Sequence, residues 1–284
     1  MINTALIGNP TDHSISDILF KEMYKLVDDT IYNHEKINIL DDELKKKIDS
    51  FKNSSYSGLN VTLPHKMKII KYLDEIQEEV AAIDAVNTID IRDEKLIGYN
   101  TDWIGIYKPL AKLNVSGYRV CILGTGGASR AAIYAVKKLT EDITVIYREF
   151  KSINTINLIN KYKNSNINFE DYKNIVNRIN SSDIIINTTS AGMIGKDEAP
   201  FDLEIIRDLD LKDKIFFDAV FNPIETPLYK IFDERGAHCI DGLWMMIYQA
   251  QRALSIWIDK DIYVGETDFK ALHELLVGRI EKCN

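Results

Sequence analysis

Arg119-Val-Cys-Ile-Leu123-Gly124-Thr125-Gly126-Gly127-Ala128-Ser129-Arg130 is the stretch on which the fold turns. An apolar run of strand length stops at Gly124, and the residues that follow, to about Leu139, carry a helical pattern, so the glycines lie on a strand-to-helix turn. Glycines there permit a tight turn and let backbone amides approach a pyrophosphate, whose charge then sits at the positive end of the helix. Position 129 is serine where the GxGxxG pattern has its third glycine. Taken alone, the stretch is therefore also compatible with an ordinary strand-to-helix turn.

Downstream, Ile143-Thr-Val-Ile146 reads as a second strand. The apolar runs Asp183 to Asn187 and Lys214 to Ala219 are short and β-branched or aromatic, as buried parallel strands should be, and extend the same sheet. Tyr147-Arg148-Glu149 stands about twenty residues past the glycines, where NAD sites commonly place an acid for the ribose hydroxyls. A guanidinium can stack on adenine and pair with a 2′-phosphate, so Arg148 favours NADP over NAD, while Glu149 offers the alternative of accepting a ribose hydroxyl. The asparagine-rich stretch from Lys161 to Asn180 reads as a connection plus a short amphipathic helix.

Upstream, residues 2 to 7 read as a strand and Asp17 to about Val27 as a helix, with strand and helix signals alternating to about Ile91. Beyond Gly242 one helix is expected to about Ile258 and another from Thr267 to Lys282, both needing a partner outside the nucleotide sheet. The first domain is the expected partner. With 284 residues the chain exceeds a comfortable single core, so two α/β domains are expected.

Composition narrows the function. A hydrophobic share of 45% and a charged share of 27% are those of a globular protein. A formal charge of −8 and a pI near 5.3 supply no basic field for nucleic acid or an anionic membrane. Lys45-Lys46-Lys47 reads as a solvated helix face. Cys121, Cys239 and Cys283 are odd in number and far apart, with no CxxC pair and no histidine at ligand spacing, so neither a disulfide framework nor a metal site is expected. Met1 to Pro10 has no basic stretch, and no segment is long enough to cross a bilayer, which with the thiols suggests a cytoplasmic protein.

Polar groups crowd the expected loops: Gly8-Asn-Pro-Thr-Asp-His-Ser14-Ile-Ser16, Gly58-Leu-Asn60-Val-Thr62-Leu-Pro-His-Lys66, Ala85-Val-Asn87-Thr88 and Gly98-Tyr-Asn-Thr-Asp102-Trp-Ile-Gly105. With the glycine turn, Asn187-Thr188-Thr-Ser-Ala-Gly-Met193 and Gly242-Leu-Trp-Met-Met-Ile-Tyr-Gln249, these seven segments resemble the shikimate dehydrogenase family in order and spacing across nearly the whole chain. The resemblance implies reversible NADPH-dependent reduction of 3-dehydroshikimate to shikimate, in the chorismate route to aromatic amino acids. It implies an N-terminal α/β substrate domain, residues 1–102, completed by C-terminal helices 243–284, and a Rossmann-like NADP-binding domain with a parallel sheet, residues 103–242. Lys66 and Asp102 are its implied catalytic pair. Implied substrate contacts are Ser14, Ser16, Asn60, Thr62, Asn87, Phe221 and Gln249. Implied cofactor contacts are Gly124, Thr125, Gly126, Gly127, Ala128, Arg148, Thr188, Ala219 and Gly242. No metal is implied, and the expected assembly is a monomer or homodimer. Quinate as a further substrate, NAD as the cofactor and a non-catalytic nucleotide-binding relative are the alternatives.

The residues themselves suit those roles. Ser14 and Ser16 are two apart, so in an extended stretch both hydroxyls face one way and can hold a carboxylate, although Ser16 is equally placed to cap the helix after it. His13 in the same loop reads as structural. Hydride delivery to a ketone leaves an oxygen that must gain a proton; a protonated Lys66 can donate it, with Asp102 orienting the ammonium and binding a neighbouring hydroxyl. How the pair divides that work is left open by the sequence. Asn60, Thr62, Asn87 and Gln249 supply amides and a hydroxyl for a polyhydroxylated ring, and also serve as turn formers and caps elsewhere. Gln249 lies in an apolar helix, where its amide needs a partner. The Trp244-Met245-Met246 stripe reads as core.

The chain departs from the family pattern at several positions. Asp17 stands in place of proline after Ser16, and Phe20-Lys21 in place of a His-Asn pair one turn later. Asp84 replaces a common glycine, Phe221 a tyrosine that contacts substrate, and Ser152 a second basic residue for the 2′-phosphate, with Lys151 adjacent.

Overall fold

The structure, a computed structural model, describes residues 2–12, 14–27 and 32–283, with the Cys283 side chain left out. His13, read as structural, lies outside the described residues. The chain divides into two compact units, residues 1–102 with 247–276 and residues 103–246 with 277–284. The three divides all fall inside helices, one just after Asp102 and one in each of the two C-terminal helices.

The first unit carries β1 (Ile2–Gly8), α1 (Ser16–Lys25), β2 (Tyr32–Asn38), α2 (Leu44–Phe51), β3 (Tyr56–Val61), β4 (Glu75–Ile76), α3 (Glu78–Ile83), β5 (Thr88–Arg92) and β6 (Lys95–Tyr99). Its sheet runs β2-β1-β3-β5-β6-β4, with β1 parallel to both β2 and β3, and β5 antiparallel to β3 and β6. Ala5, Ile7, Leu59, Val61 and Ile89 are buried and pack with Leu44, Ile48 and Phe51 of α2. Burying each of the larger side chains contributes roughly 1.5–3 kcal/mol, which fixes the strand register.

This topology gathers one edge of the sheet. Ile7 of β1 pairs with Val61 of β3, so the loops leaving both strands emerge side by side. Thr88 opens β5 opposite Tyr99 at the end of β6, so Asn87 meets the Asn100–Asp102 segment.

The second unit begins within α4 (Asp102–Ala111) and continues through β7 (Val120–Leu123), α5 (Gly127–Val136), β8 (Ile143–Tyr147), α6 (Ile153–Tyr162), β9 (Asn168–Asp171), α7 (Ile175–Ser181), β10 (Ile184–Asn187), β11 (Ile215–Asp218), α8 (Pro227–Glu234), β12 (His238–Ile240) and the start of α9 (Gly242–Trp257). The last helix is α10 (Glu266–Cys283). The sheet is wholly parallel in the order β12-β11-β10-β7-β8-β9. Chain direction across the sheet reverses between β7 and β10, the topological switch point at which doubly wound sheets bind ligands. β7, β10 and β11 are buried throughout, which accounts for their unbroken apolar runs.

β9 falls in the asparagine-rich stretch read as a connection. It is an edge strand with no fully buried residue, so the apolar alternation that marks a strand is missing there. Met245 is buried in the core of the second unit with Trp244 packed against it, as a core stripe should be.

Candidate active site

In the first unit Lys66 Nζ lies 2.5 Å from Asp102 Oδ2, and the two side chains are only 17% and 5% exposed. Lys66 is set by a turn at Thr62–His65, in which His65 N–H donates to Thr62 C=O at 3.0 Å, and by Val86 N–H donating to the Lys66 carbonyl at 2.8 Å. Asp102 opens α4. Its own N–H is taken up by Asn100 Oδ1 at 3.1 Å, so Asn100 caps this turn and the carboxylate is left for other work. The Asn100 amide also donates to the Ala85 carbonyl at 2.9 Å.

The other Asp102 oxygen accepts from Asn87 Nδ2 at 2.8 Å. That amide also faces Thr101 Oγ1 at 2.9 Å and Gln249 Oε1 at 3.3 Å. Two amide hydrogens thus face three acceptors, and the Gln249 carbonyl is also reached by Thr101 Oγ1 at 3.3 Å. The partner that Gln249 needs in an apolar helix is this amide cluster. The Asn87 carbonyl accepts from Thr101 N–H at 2.6 Å. Asn60 donates to the Asn87 carbonyl oxygen of the main chain and to Thr88 Oγ1, both at 3.3 Å, while its own Oδ1 is buried with no partner among the described residues. A buried acceptor left in that condition is costly unless a donor arrives.

Thr62 follows β3 and packs against Gly8, where an added Cβ would come within 2.3 Å of Thr62 Cγ2 and 2.9 Å of the Leu63 carbonyl. Glycine at position 8 therefore allows the two loops to touch. Ser14 and Ser16 do not form the extended pair expected of them. Ile15, at φ −100° and ψ 16°, turns the chain into α1, and Ser14 Oγ accepts the Ser16 N–H at 3.1 Å. Ser14, not Ser16, thus supports the helix start, leaving the Ser16 hydroxyl free of capping. Asp17, the departure from proline, has Lys36 Nζ at 3.4 Å to offset its charge, and the same ammonium donates to the Ser14 carbonyl at 2.9 Å.

In the second unit Gly124 has φ 112°, and a Cβ there would meet Thr188 Oγ1 at 3.0 Å, so only glycine suits the turn. Gly126 caps α5 with open space above it. Ser129 is fully buried and its hydroxyl donates to the Gly124 carbonyl at 2.6 Å. The residue that made the glycine pattern imperfect is the one that ties the turn shut. Thr125 Oγ1 lies 3.1 Å from Thr155 Oγ1, Gly127 and Ala128 begin α5, and Thr188 donates twice to the Leu123 carbonyl, from Oγ1 at 2.5 Å and from its N–H at 3.0 Å. Gly124 and Thr188 leave the adjacent ends of β7 and β10 at the switch point.

Arg148 follows β8 with its side chain 76% exposed, and its guanidinium donates to Asp197 Oδ2 at 3.0 Å. Sequence reading missed Asp197, which no spacing relates to Arg148. Ala219 and Phe221 follow β11; Ala219 N–H donates to the Asn187 carbonyl at 2.9 Å. A Cβ on Gly242 would fall 2.4 Å from the Val220 carbonyl oxygen, so this glycine is required by the protein's own backbone. These residues fit a dinucleotide: the constrained turn, the open helix start at Gly126 and an exposed guanidinium at the end of β8 match a pyrophosphate and a 2′-phosphate. Among the described residues there is no cluster of metal-ligating side chains and no helix long and apolar enough to cross a membrane.

Residues 6–89 match the family model described as shikimate dehydrogenase substrate binding domain, and residues 108–218 the one described as shikimate / quinate 5-dehydrogenase. A shikimate dehydrogenase (NADP(+)) from Staphylococcus aureus is 35% identical over 276 residues, which cover 95% of this chain and 98% of that protein. Among solved structures, a chorismate mutase/shikimate 5-dehydrogenase fusion protein from Clostridium acetobutylicum superposes with a TM-score of 0.85 at 30% identity, covering 99% of both chains. A shikimate dehydrogenase solved in complex with NADP+ gives a TM-score of 0.80 at 32% identity, covering 96% of this chain and 95% of that one.

Proposed function

The chain belongs to the shikimate dehydrogenase family, and from that premise we propose that Lys66 and Asp102 carry the proton side of an NADP-dependent interconversion of 3-dehydroshikimate and shikimate. The protein is an oxidoreductase of that family, and its cofactor is NADP. The observation that supports the reading best is the 2.5 Å contact of Lys66 with a buried Asp102 whose second oxygen is held by Asn87.

The bound cofactor supplies hydride to the substrate's carbonyl carbon, or accepts it in the oxidative direction. Lys66 then stabilises the negative charge growing on the carbonyl oxygen and gives it a proton from Nζ. Asp102 holds the ammonium in line through Oδ2 and accepts from the adjacent ring hydroxyl. Asn60, through Oδ1, and Gln249, through its amide, take further hydroxyls, with Asn87 fixing the cluster between them. Ser14 and Ser16 hold the carboxylate, with Thr62 and Phe221 beside the ring. Gly124 to Ala128 receive the pyrophosphate and Arg148 the 2′-phosphate, with Thr188, Ala219 and Gly242 shaping the turn ends. Residues 1–102 with the C-terminal helices serve substrate in this reading, and residues 103–242 serve cofactor. A cytoplasmic monomer or homodimer is the form we propose, consistent with Cys121 and Cys239 being free thiols.

Absorbance of reduced nicotinamide, followed with shikimate and quinate against NADP and NAD, tests the reading. Activity centred on shikimate with NADP is expected; activity centred on quinate or NAD moves the protein within its family. Lys66→Ala should lower turnover by roughly 10²–10⁴-fold with NADP affinity kept, and wild-type turnover in that variant would remove Lys66 from the mechanism.

A further inference from the structure

Behind Ser16 lies a buried polar chain that the catalytic reading does not use. Ser16 Oγ is 3.2 Å from His34 Nε2; His34 Nδ1 is 2.8 Å from Thr4 Oγ1; and Thr4 Oγ1 is 2.7 Å from the Tyr32 hydroxyl. Thr4, Ser16 and His34 are all buried. The strand register builds the chain: Thr4 of β1 pairs with His34 of β2, and Tyr32, two residues before His34, faces the same way. Phe20, one turn beyond Ser16 in α1, stacks on the His34 ring at 4.5 Å between centroids and fixes its plane.

Counting hydrogens gives the chain a direction. Among the described residues Thr4 is the only hydrogen-bond partner of the Tyr32 hydroxyl, so the phenol donates to Thr4 Oγ1. Thr4 has one hydrogen of its own. It faces His34 Nδ1 at 2.8 Å and the Asn33 carbonyl at 3.4 Å, and the shorter contact takes it. His34 Nδ1 is then an acceptor, Nε2 carries the ring hydrogen, and Nε2–H donates to Ser16 Oγ. With its lone pair engaged, the Ser16 hydroxyl has its hydrogen left to give away. Reversing the tautomer would reverse the outcome: a bare Nε2 would take the Ser16 hydrogen and turn an oxygen lone pair toward any incoming anion.

We propose that His34 is a positioning residue for Ser16, held as its Nε2–H tautomer by the Tyr32–Thr4 pair so that Ser16 is committed as a hydrogen-bond donor to the substrate carboxylate. The inference rests on the reading of Ser16 as a carboxylate contact. Burial supports it by holding the imidazole neutral, with its pKa lowered to about 4, so that the ring carries a single hydrogen to be placed.

Two measurements on the full chain test it. Nitrogen-15 NMR of the labelled imidazole at neutral pH reads the tautomer directly; hydrogen on Nε2 is expected, and hydrogen on Nδ1 overturns the proposal. Steady-state kinetics then compare shikimate with its methyl ester in Ser16→Ala, Thr4→Val, His34→Leu and His34→Gln, the last keeping an N–H near the Nε2 position. Ser16→Ala should raise KM for shikimate about tenfold, and Thr4→Val and His34→Leu several-fold, each with a clearly smaller rise for the ester, whose neutral carbonyl is a weaker acceptor, and with KM for NADP kept. His34→Gln should restore a KM near wild type. Equal increases for acid and ester in Thr4→Val and His34→Leu would mark a merely structural role and overturn the proposal. A normal KM in those two variants beside a raised KM in Ser16→Ala overturns it alone. A normal KM in Ser16→Ala removes Ser16 from the site, and the proposal with it.

Discussion

Asn87 donates at 2.8 Å to the Asp102 oxygen that Lys66 does not take, so one buried carboxylate is held from two sides by two different loops. The same amide group receives the Thr101 N–H on its carbonyl side, which makes Asn87 the joint between the start of β5 and the start of α4. Asn87→Ala should therefore lower kcat at least tenfold, because Asp102 can rotate away from Lys66. It should also cost about 1–3 kcal/mol of stability for the acceptors and donor left unpaired. Kinetics and urea unfolding on the same preparation check both. Lost stability with unchanged kcat would mean that Asp102 is held well enough by Lys66 alone.

Arg148 and Asp197 pair across exposed side chains, and such pairs contribute only about 0–1 kcal/mol. The Asp197 carboxylate nonetheless competes for the guanidinium with a 2′-phosphate. Asp197→Asn should lower KM for NADP by up to about fivefold and leave KM for NAD unchanged, since the pair is worth no more than that. Arg148→Gln should raise KM for NADP by about tenfold or more, the scale of a hydrogen bond between charged groups. Equal losses with NAD and NADP in Arg148→Gln would assign Arg148 to the adenine ring instead of the phosphate.

Two buried groups pull the pH dependence of stability in opposite directions. His34 is lowered to about 4, by burial first, so its contribution is complete above its unfolded value of 6.5 and is lost as pH falls toward 4. Asp218 is pushed up to about 6 by burial, against hydrogen bonds from Thr226, Val220 and Asn187. Its contribution is complete below 3.8 and is lost as pH rises through 6. Each is worth at most about 3 kcal/mol across its window. Relative to wild type, His34→Gln should grow less stable as pH rises from 4 to 6, and Asp218→Asn more stable. Thermal unfolding over that range checks this, and melting curves that shift in parallel with pH for all three proteins would refute it.

Asp84 ends α3 in the left-handed region, at φ 63° and ψ 39°. A side chain there costs roughly 1–2 kcal/mol, only partly offset by the greater entropy glycine loses on folding. Asp84→Gly should accordingly raise stability by about 0.5–1 kcal/mol with no change in KM or kcat. Urea unfolding measures it. A fall in stability would show that the Asp84 carboxylate contributes more than its backbone conformation costs.

Some of this protein was determined by the sequence alone. The apolar runs at Val120, Ile184 and Ile215 are buried on both sheet faces, so their composition announced parallel strands, and Gly124 announced a turn that no other residue can make. Polar residues crowd the loops after β1, β3, α3 and β6, but it was the resemblance of these segments to a known family, and not their composition, that singled out Lys66, Asp102 and Asn87. What only the tertiary structure decided is which atoms meet. β9 was invisible because an edge strand buries too little to impose a pattern. The geometry of Ser14 and Ser16 was misread because a turn at Ile15 and an extended chain fit the same three residues. Asp197 and His34 carry no local signal of their roles. Asp197 and His34 act through hydrogen bonds that depend on how distant segments pair, and a period-two or period-3.6 pattern records burial, not the partner across the sheet, whereas Asn100 caps Asp102 two residues on and was simply overlooked.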